Sequence, residues 1–129
     1  MEFTIIPNKA VGNIPFGLPR EEVKNILSGF RGSFKKSKFS KNTTDDFGYC
    51  HVYYDDKDRC TAIEFFEKCE LIYDGVNLFE QNATTLKKLF SDIKEEYGSY
   101  ISVKYSIGIV MDNNTVESIL IGKENYYCL

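Results

Sequence analysis

The stretch Tyr49-Cys50-His51-Val52-Tyr53-Tyr54-Asp55-Asp56-Lys57-Asp58-Arg59-Cys60-Thr61-Ala62-Ile63-Glu64-Phe65-Phe66, continuing through Glu67-Lys68-Cys69-Glu70 to Leu71-Ile72-Tyr73, decides the fold. Two aromatic and β-branched runs flank the polar tip Asp55–Arg59, the pattern of a β-hairpin with a loop of more than two residues. A third run, Leu71–Tyr73, follows the charged break Glu67-Lys68 and predicts an antiparallel meander. Alternation along the second run sets Ile63 and Phe65 on one face and Ala62, Glu64 and Phe66 on the other. One face is expected to meet a core. The other carries acid among aromatics, which is unusual for a surface without a partner.

Upstream, residues 3–6 form a short apolar strand that Pro7 stops. The breaker-rich segment Val11–Pro19 leads into Arg20–Leu27, where Val23, Ile26, Leu27 and Phe30 recur at helical spacing. Pro19 suits the first helical position, Glu21 and Glu22 suit the positive end of the dipole, and Gly29 can end the helix. Residues 31–44 then hold five basic residues and no acid, with Phe34 and Phe39 among them. They read as a solvated loop with its phenylalanines tucked beneath it, or alternatively as a nucleic-acid contact over 31–41 that stacks bases on the rings.

Downstream, Asp74-Gly75 makes a turn and Asn82 is a helix N-cap. Leu86, Leu89, Phe90, Ile93 and Tyr97 continue that helix to Gly98. One long strand is expected from Ile101 to Met111, with Ile101, Val103, Tyr105, Ile107, Ile109 and Met111 on one face. Asp112-Asn113-Asn114 turns it into a return strand, Val116–Ile121. The chain thus reads as a single α+β domain over residues 1–129, an antiparallel sheet of meanders and hairpins packed by two main helices. It has the outline of a loose duplication of a helix-plus-strands unit.

The 129 residues suffice to bury a core. With 43% hydrophobic and 27% charged residues the chain is globular rather than disordered. A formal net charge of −3 argues against a general nucleic-acid binder. The charge is segregated: nine acids face three bases between Asp45 and Asp74, beside the basic 31–44 segment, and such segregation steers association. No stretch has the roughly 18 apolar residues of a membrane span. The start, Met1–Pro7, lacks a basic n-region, so a cytoplasmic protein is expected. The four cysteines, Cys50, Cys60, Cys69 and Cys128, match no zinc spacing and are expected as thiols.

No convergent set of catalytic groups is legible in the sequence. The single histidine, His51, adjoins Cys50, and neighbours on a strand point to opposite faces, which excludes a thiolate–imidazole pair. Asp55, Asp56 and Asp58 lack the glycine and distal glutamate of a calcium loop. Gly12 and Gly17 are not followed by the remainder of a phosphate loop. Glu64 and Glu67 face apart on a strand. Neither enzyme activity, metal nor cofactor is expected.

The segment Gly12-Asn13-Ile14-Pro15-Phe16-Gly17-Leu18-Pro19-Arg20-Glu21-Glu22-Val23 is similar to a Gly-x-Ile-x-x-Gly turn followed by a helix beginning Ser-Arg-Glu-Glu-Val, with Pro19 where the serine is usual. With Val52-Tyr53-Tyr54-Asp55, Ile63-Glu64-Phe65, Gly75-Val76-Asn77-Leu78-Phe79 and Ser106-Ile107-Gly108-Ile109, the chain resembles small immunity proteins of bacterial polymorphic-toxin and contact-dependent growth inhibition systems. Parts of the pattern are shared with outer-membrane assembly lipoproteins and β-lactamase-inhibitor-like domains. The resemblance implies a binding protein that neutralises a cognate toxin without catalytic residues. A cytosolic toxin acts mostly on nucleic acid, and a nuclease needs a basic cleft to hold phosphate. An acidic, tyrosine-bearing surface complements such a cleft. Asp45, Asp46, Tyr53, Asp55, Asp56, Asp58, Glu64, Glu67 and Glu70 are accordingly the expected partner-binding residues.

Overall fold

The computed structural model describes residues 1–66 and 69–127. Along the chain, β1 (Glu2–Ile6) is followed by two short strands, β2 (Ala10–Val11) and β3 (Ile14–Pro15), and by helix α1 (Arg20–Ile26). A meander comes next: β4 (Gly32–Lys35), β5 (Thr43–Asp46), β6 (Cys50–Tyr54) and β7 (Cys60–Phe66). The second half opens with β8 (Glu70–Tyr73), β9 (Val76–Asn77), a 3-10 helix at Leu78–Glu80 and helix α2 (Ala83–Leu89). It closes with a second meander, β10 (Lys94–Glu96), β11 (Ser99–Ser102), β12 (Ile107–Asp112) and β13 (Thr115–Gly122).

The two meanders form one eight-stranded sheet, ordered β10-β11-β12-β13-β7-β6-β5-β4. Their last strands join them, β13 lying antiparallel to β7 with Ile119 opposite Phe65. The remaining strands make a five-stranded sheet, β3-β2-β1-β8-β9, in which β1 and β8 run parallel. A parallel pair needs a long crossover, and here all of α1 and the first meander provide it.

The register along the 50–66 hairpin agrees with the alternation. Cys50, Val52 and Tyr54 on β6 and Ile63 and Phe65 on β7 face inward, joined by Ile119 and Ile121 on β13 and Ile107 and Ile109 on β12. Val23 and Leu27 from the α1 region, Leu86 and Phe90 from the α2 region, Leu78, and Ile5, Val11, Ile14 and Leu71 from the small sheet complete one core cluster. Each such side chain contributes about 1.5–3 kcal/mol of hydrophobic stabilisation. The helices are short, seven residues each, so their stability comes from this packing rather than from propensity.

Several expectations are corrected. Leu71–Tyr73 does not extend the hairpin as a third meander strand: β8 pairs parallel with β1 in the small sheet, and the free edge of β7 is taken by β13. The helix expected to run from Asn82 to Gly98 stops at Leu89. Asn82 caps it as expected, its Oδ1 accepting from the Thr85 N–H. Beyond Phe90, however, Asp92 accepts hydrogen bonds from the Ser102 hydroxyl and the Lys104 N–H, and Lys94–Glu96 pairs with β11. Tyr97, assigned to the helical stripe, is 98% exposed in the two-residue turn between β10 and β11.

The long strand Ile101–Met111 is instead the hairpin β11–β12, which puts Ile101 on the opposite face from Ile107. Its turn is held from afar: Asn8 donates from Nδ2 to the Lys104 carbonyl and accepts at Oδ1 from the Ser106 hydroxyl. The return turn and β13 stand as expected, with Asn113 and Asn114 both at positive φ. The basic segment is not merely a loop, since Gly32–Lys35 forms an edge strand. Nor is Phe39 tucked away, being 83% exposed. Cys50, Cys60 and Cys69 are buried thiols, and Cys128 lies outside the described residues. No helix among the described residues is long and apolar enough to cross a membrane.

Candidate protein-docking face

Both helices and the small sheet contribute to the core on the inner face of the eight-stranded sheet. The outer face carries the other half of each strand's alternation. Reading across from the β4 edge, the register places there Phe34, Thr44 and Asp46, His51 and Tyr53, then Ala62, Glu64 and Phe66. Ser118, Leu120 and Gly122 follow on β13, Gly108 and Val110 on β12, and Ser99 and Ile101 on β11. The Tyr126-Tyr127 segment lies against this face, and Lys36 reaches over its Tyr53 end. Two strand glycines admit the two tyrosines. A Cβ at Gly122 would lie 2.6 Å from the Tyr126 Cβ, and one at Gly108 would lie 2.1 Å from the Tyr127 hydroxyl.

The face has internal order. His51 packs edge-on between Phe34 and Phe66, with ring centroids 5.1 and 4.8 Å away. Its Nε2 lies 3.4 Å from Asp46 Oδ1. Tyr53 donates its hydroxyl to Glu64 at 2.5 Å, while Lys36 sits over the Tyr53 ring. Burial first, then the hydrogen bond to Glu64, pushes the Tyr53 phenol far above its ordinary value, so it remains a donor. Burial and the nearby Glu64 push Tyr126 and Tyr127 upward as well.

The nine expected partner-binding residues separate into groups. Asp46, Tyr53 and Glu64 share the outer face. Asp55, Asp56 and Asp58 sit at the hairpin tip: Asp55 accepts from the Lys57 and Arg59 N–H groups and from Arg59 Nε, Asp58 pairs with Arg20, and Asp56 has no side-chain bond to another described residue. Glu70 is exposed on β8, opposite Glu2 in the small sheet, away from the outer face. Glu67 lies outside the described residues.

Asp45 is a correction. Its side chain is fully buried on the inner side, where it accepts from Arg20, Ser33 and Tyr54, so it presents no charge to a partner. The strand β5 was not legible in the sequence, and its alternation is what sends Asp45 inward and Asp46 outward.

Sequence reasoning missed Tyr126, Tyr127 and the aliphatic floor of Ile101, Val110 and Leu120, and it named Phe34 only for the alternative nucleic-acid contact. The signal that could have found them was a pair of glycines, Gly108 and Gly122, inside β-branched runs, a mark of close approach by another group. Among the described residues no group of three or more His, Cys, Asp or Glu converges as metal ligands would. A cleft of about 530 Å³ beside β1 and the end of α1, lined by Met1, Phe3, Ile26 and Tyr49 among others, brings together no catalytic constellation. No family model, curated protein or solved structure matches the chain.

Proposed function

We propose that this chain is an immunity-type protein that binds a cognate toxin domain, a cytosol-acting nuclease, and occludes its basic active-site cleft. The observation that carries the reading is the outer face of the eight-stranded sheet. Among the described residues the helices pack on the other side of the sheet, and this face is paved with Phe34, His51, Tyr53, Phe66, Tyr126 and Tyr127 around the acids Asp46 and Glu64. Aromatic side chains with a polar handle are favoured anchors at protein interfaces, and acids beside them suit a partner rich in lysine and arginine. Asp56 at the hairpin tip extends the acidic rim. The two meanders, each preceded by a short helix and joined by their last strands, support descent from a duplicated helix-plus-strands unit, which would double the width of the face.

The test is protection and complex formation. The C-terminal domain of the protein encoded directly upstream is the toxin candidate, co-expressed with the unaltered protein or with Asp46→Lys, Glu64→Lys and Phe66→Glu variants. Circular dichroism controls for folding. Lost protection and lost co-purification are expected; full protection by all three folded variants would sink the reading. The exposed Phe39, with Lys38 over its ring, keeps a second reading in play: nucleic-acid binding by residues 31–41. A gel-shift titration across salt concentration decides it, since phosphate contacts produce a steep salt dependence.

A further inference from the structure

A depression of about 110 Å³ opens on the outer face, lined by Glu64, Ser99, Ile101, Gly108, Val110, Ser118, Leu120 and Tyr127. Small-molecule and cofactor sites run to about 300–1,000 Å³, so this one has room for a single long side chain. Its chemistry is two-sided. Ile101, Val110 and Leu120 supply aliphatic walls, while the polar groups are the Glu64 carboxylate, the Ser99 and Ser118 hydroxyls and the Tyr127 phenol.

Glu64 is half-buried and forms no ion pair among the described residues. Its one hydrogen bond there, to Oε1, comes from Tyr53, leaving Oε2 without a donor. None of the Ser99, Ser118 and Tyr127 hydroxyls is hydrogen-bonded to another described residue. The pocket also depends on a built feature, because only the absence of a side chain at Gly108 lets Tyr127 form its wall.

We propose that this depression is a socket for one arginine side chain of the protein partner, an assignment that rests on the outer face being the docking surface. The methylene stem lies against Ile101, Val110 and Leu120, as long basic side chains do on apolar surfaces. The guanidinium meets the free oxygen of Glu64, and its remaining N–H groups have the serine and tyrosine oxygens as acceptors. Arginine fits better than lysine because its fork of five donors can serve several acceptors at once.

The probe is Nα-acetyl-arginine methylamide, titrated into the full ¹⁵N-labelled chain and followed by backbone amide shifts. Its norleucine counterpart, which has the stem without the charge, is the control. Saturable shifts are expected at Glu64, Gly108, Ser118 and Val110, absent with norleucine. Glu64→Gln keeps an acceptor for Tyr53 but removes the charge, and it should weaken the arginine probe about tenfold or more. Shifts unchanged in Glu64→Gln, or centred on Asp56 or Glu70, overturn the socket.

Co-expression separates this failure from failure of the docking reading. If Phe66→Glu abolishes protection but the probe does not bind, the socket is wrong and the docking face stands. If the probe binds while Phe66→Glu and Glu64→Gln both protect fully, the docking reading falls, and with it the assignment to a partner's arginine.

Discussion

Arg20, in the first turn of α1, grips Asp45 on β5 with a two-pronged hydrogen bond, Nε to Oδ2 at 3.1 Å and Nη2 to Oδ1 at 2.7 Å. The same guanidinium donates to the Thr43 carbonyl and hydroxyl and to Asp58, and it lies over the Tyr54 ring. One side chain thus ties the helix, the β5 strand and the hairpin tip together. Removing it by Arg20→Ala leaves a buried carboxylate unpaired, for which a cost of about 3–5 kcal/mol is expected. Arg20→Lys cannot reproduce the fork and should recover only part of it. Urea unfolding followed by circular dichroism measures both; an Arg20→Ala loss below about 1 kcal/mol would refute the role.

Acid should act through the same pair. Burial pushes the Asp45 carboxyl up, but hydrogen bonds from Arg20, Ser33 and Tyr54 outweigh it and hold the group below its ordinary value of 3.8. A carboxyl depressed in the folded state contributes stability that is full above the unfolded value and is lost as pH falls through the folded one. Unfolding free energy should therefore fall below roughly pH 4. Asp45→Asn should be less stable at neutral pH and flatter across that acid range. Equal acid slopes for the two proteins would contradict this.

The turn at Tyr97-Gly98 offers a test of the hairpin that replaces the end of the expected helix. Both residues have positive φ, 52° and 83°, and Glu96 pairs with Ser99 across them. Two-residue hairpin turns with positive φ at both positions favour Asn-Gly, and an exposed tyrosine there makes no compensating contact. Tyr97→Asn should raise the thermal midpoint, with a gain of a few tenths to about 1 kcal/mol. A helix through Tyr97 would be weakened by the same change, so a lowered midpoint would count against the hairpin.

Gly122 should tolerate no side chain without moving the C-terminal tyrosines. A Cβ there would stand 2.6 Å from both Cβ and Cγ of Tyr126, atoms too near the backbone to swing aside. Gly122→Ala is expected to cost about 1–3 kcal/mol, as overpacking does, and to shift the Tyr126 and Tyr127 ring resonances. Unchanged ring resonances would mean that the segment does not lie across the sheet.

The buried thiols should be inert in the folded chain. Burial pushes Cys60 up to about 12 and raises Cys50 further, and the thiolate is the reactive form. Iodoacetamide labelling of these two positions, read by peptide mass spectrometry, should accelerate greatly on adding urea. Rapid labelling without denaturant would show that these strands open freely.

The sequence by itself determined what depends on neighbours. The 50–66 hairpin and its two-faced alternation, the Asp74-Gly75 and Asn113-Asn114 turns, the Asn82 cap and the inward Val23, Leu27, Leu86 and Phe90 all follow from spacing and turn chemistry, whereas Ile26 and Phe30 of the same first stripe lie exposed. The alternation also placed Glu64 and Phe66 on the face away from the core. Only the tertiary structure decided where β8 pairs, that residues 94–102 turn back as strands, and that Asp45 is an internal ligand of Arg20. Those outcomes depend on partners distant along the chain: β1 for β8, Ser102 and Asn8 for the 92–106 turn region, Arg20 for Asp45. Short apolar periods are compatible with both helix and strand, and the contacts that choose between them form only when the chain has folded.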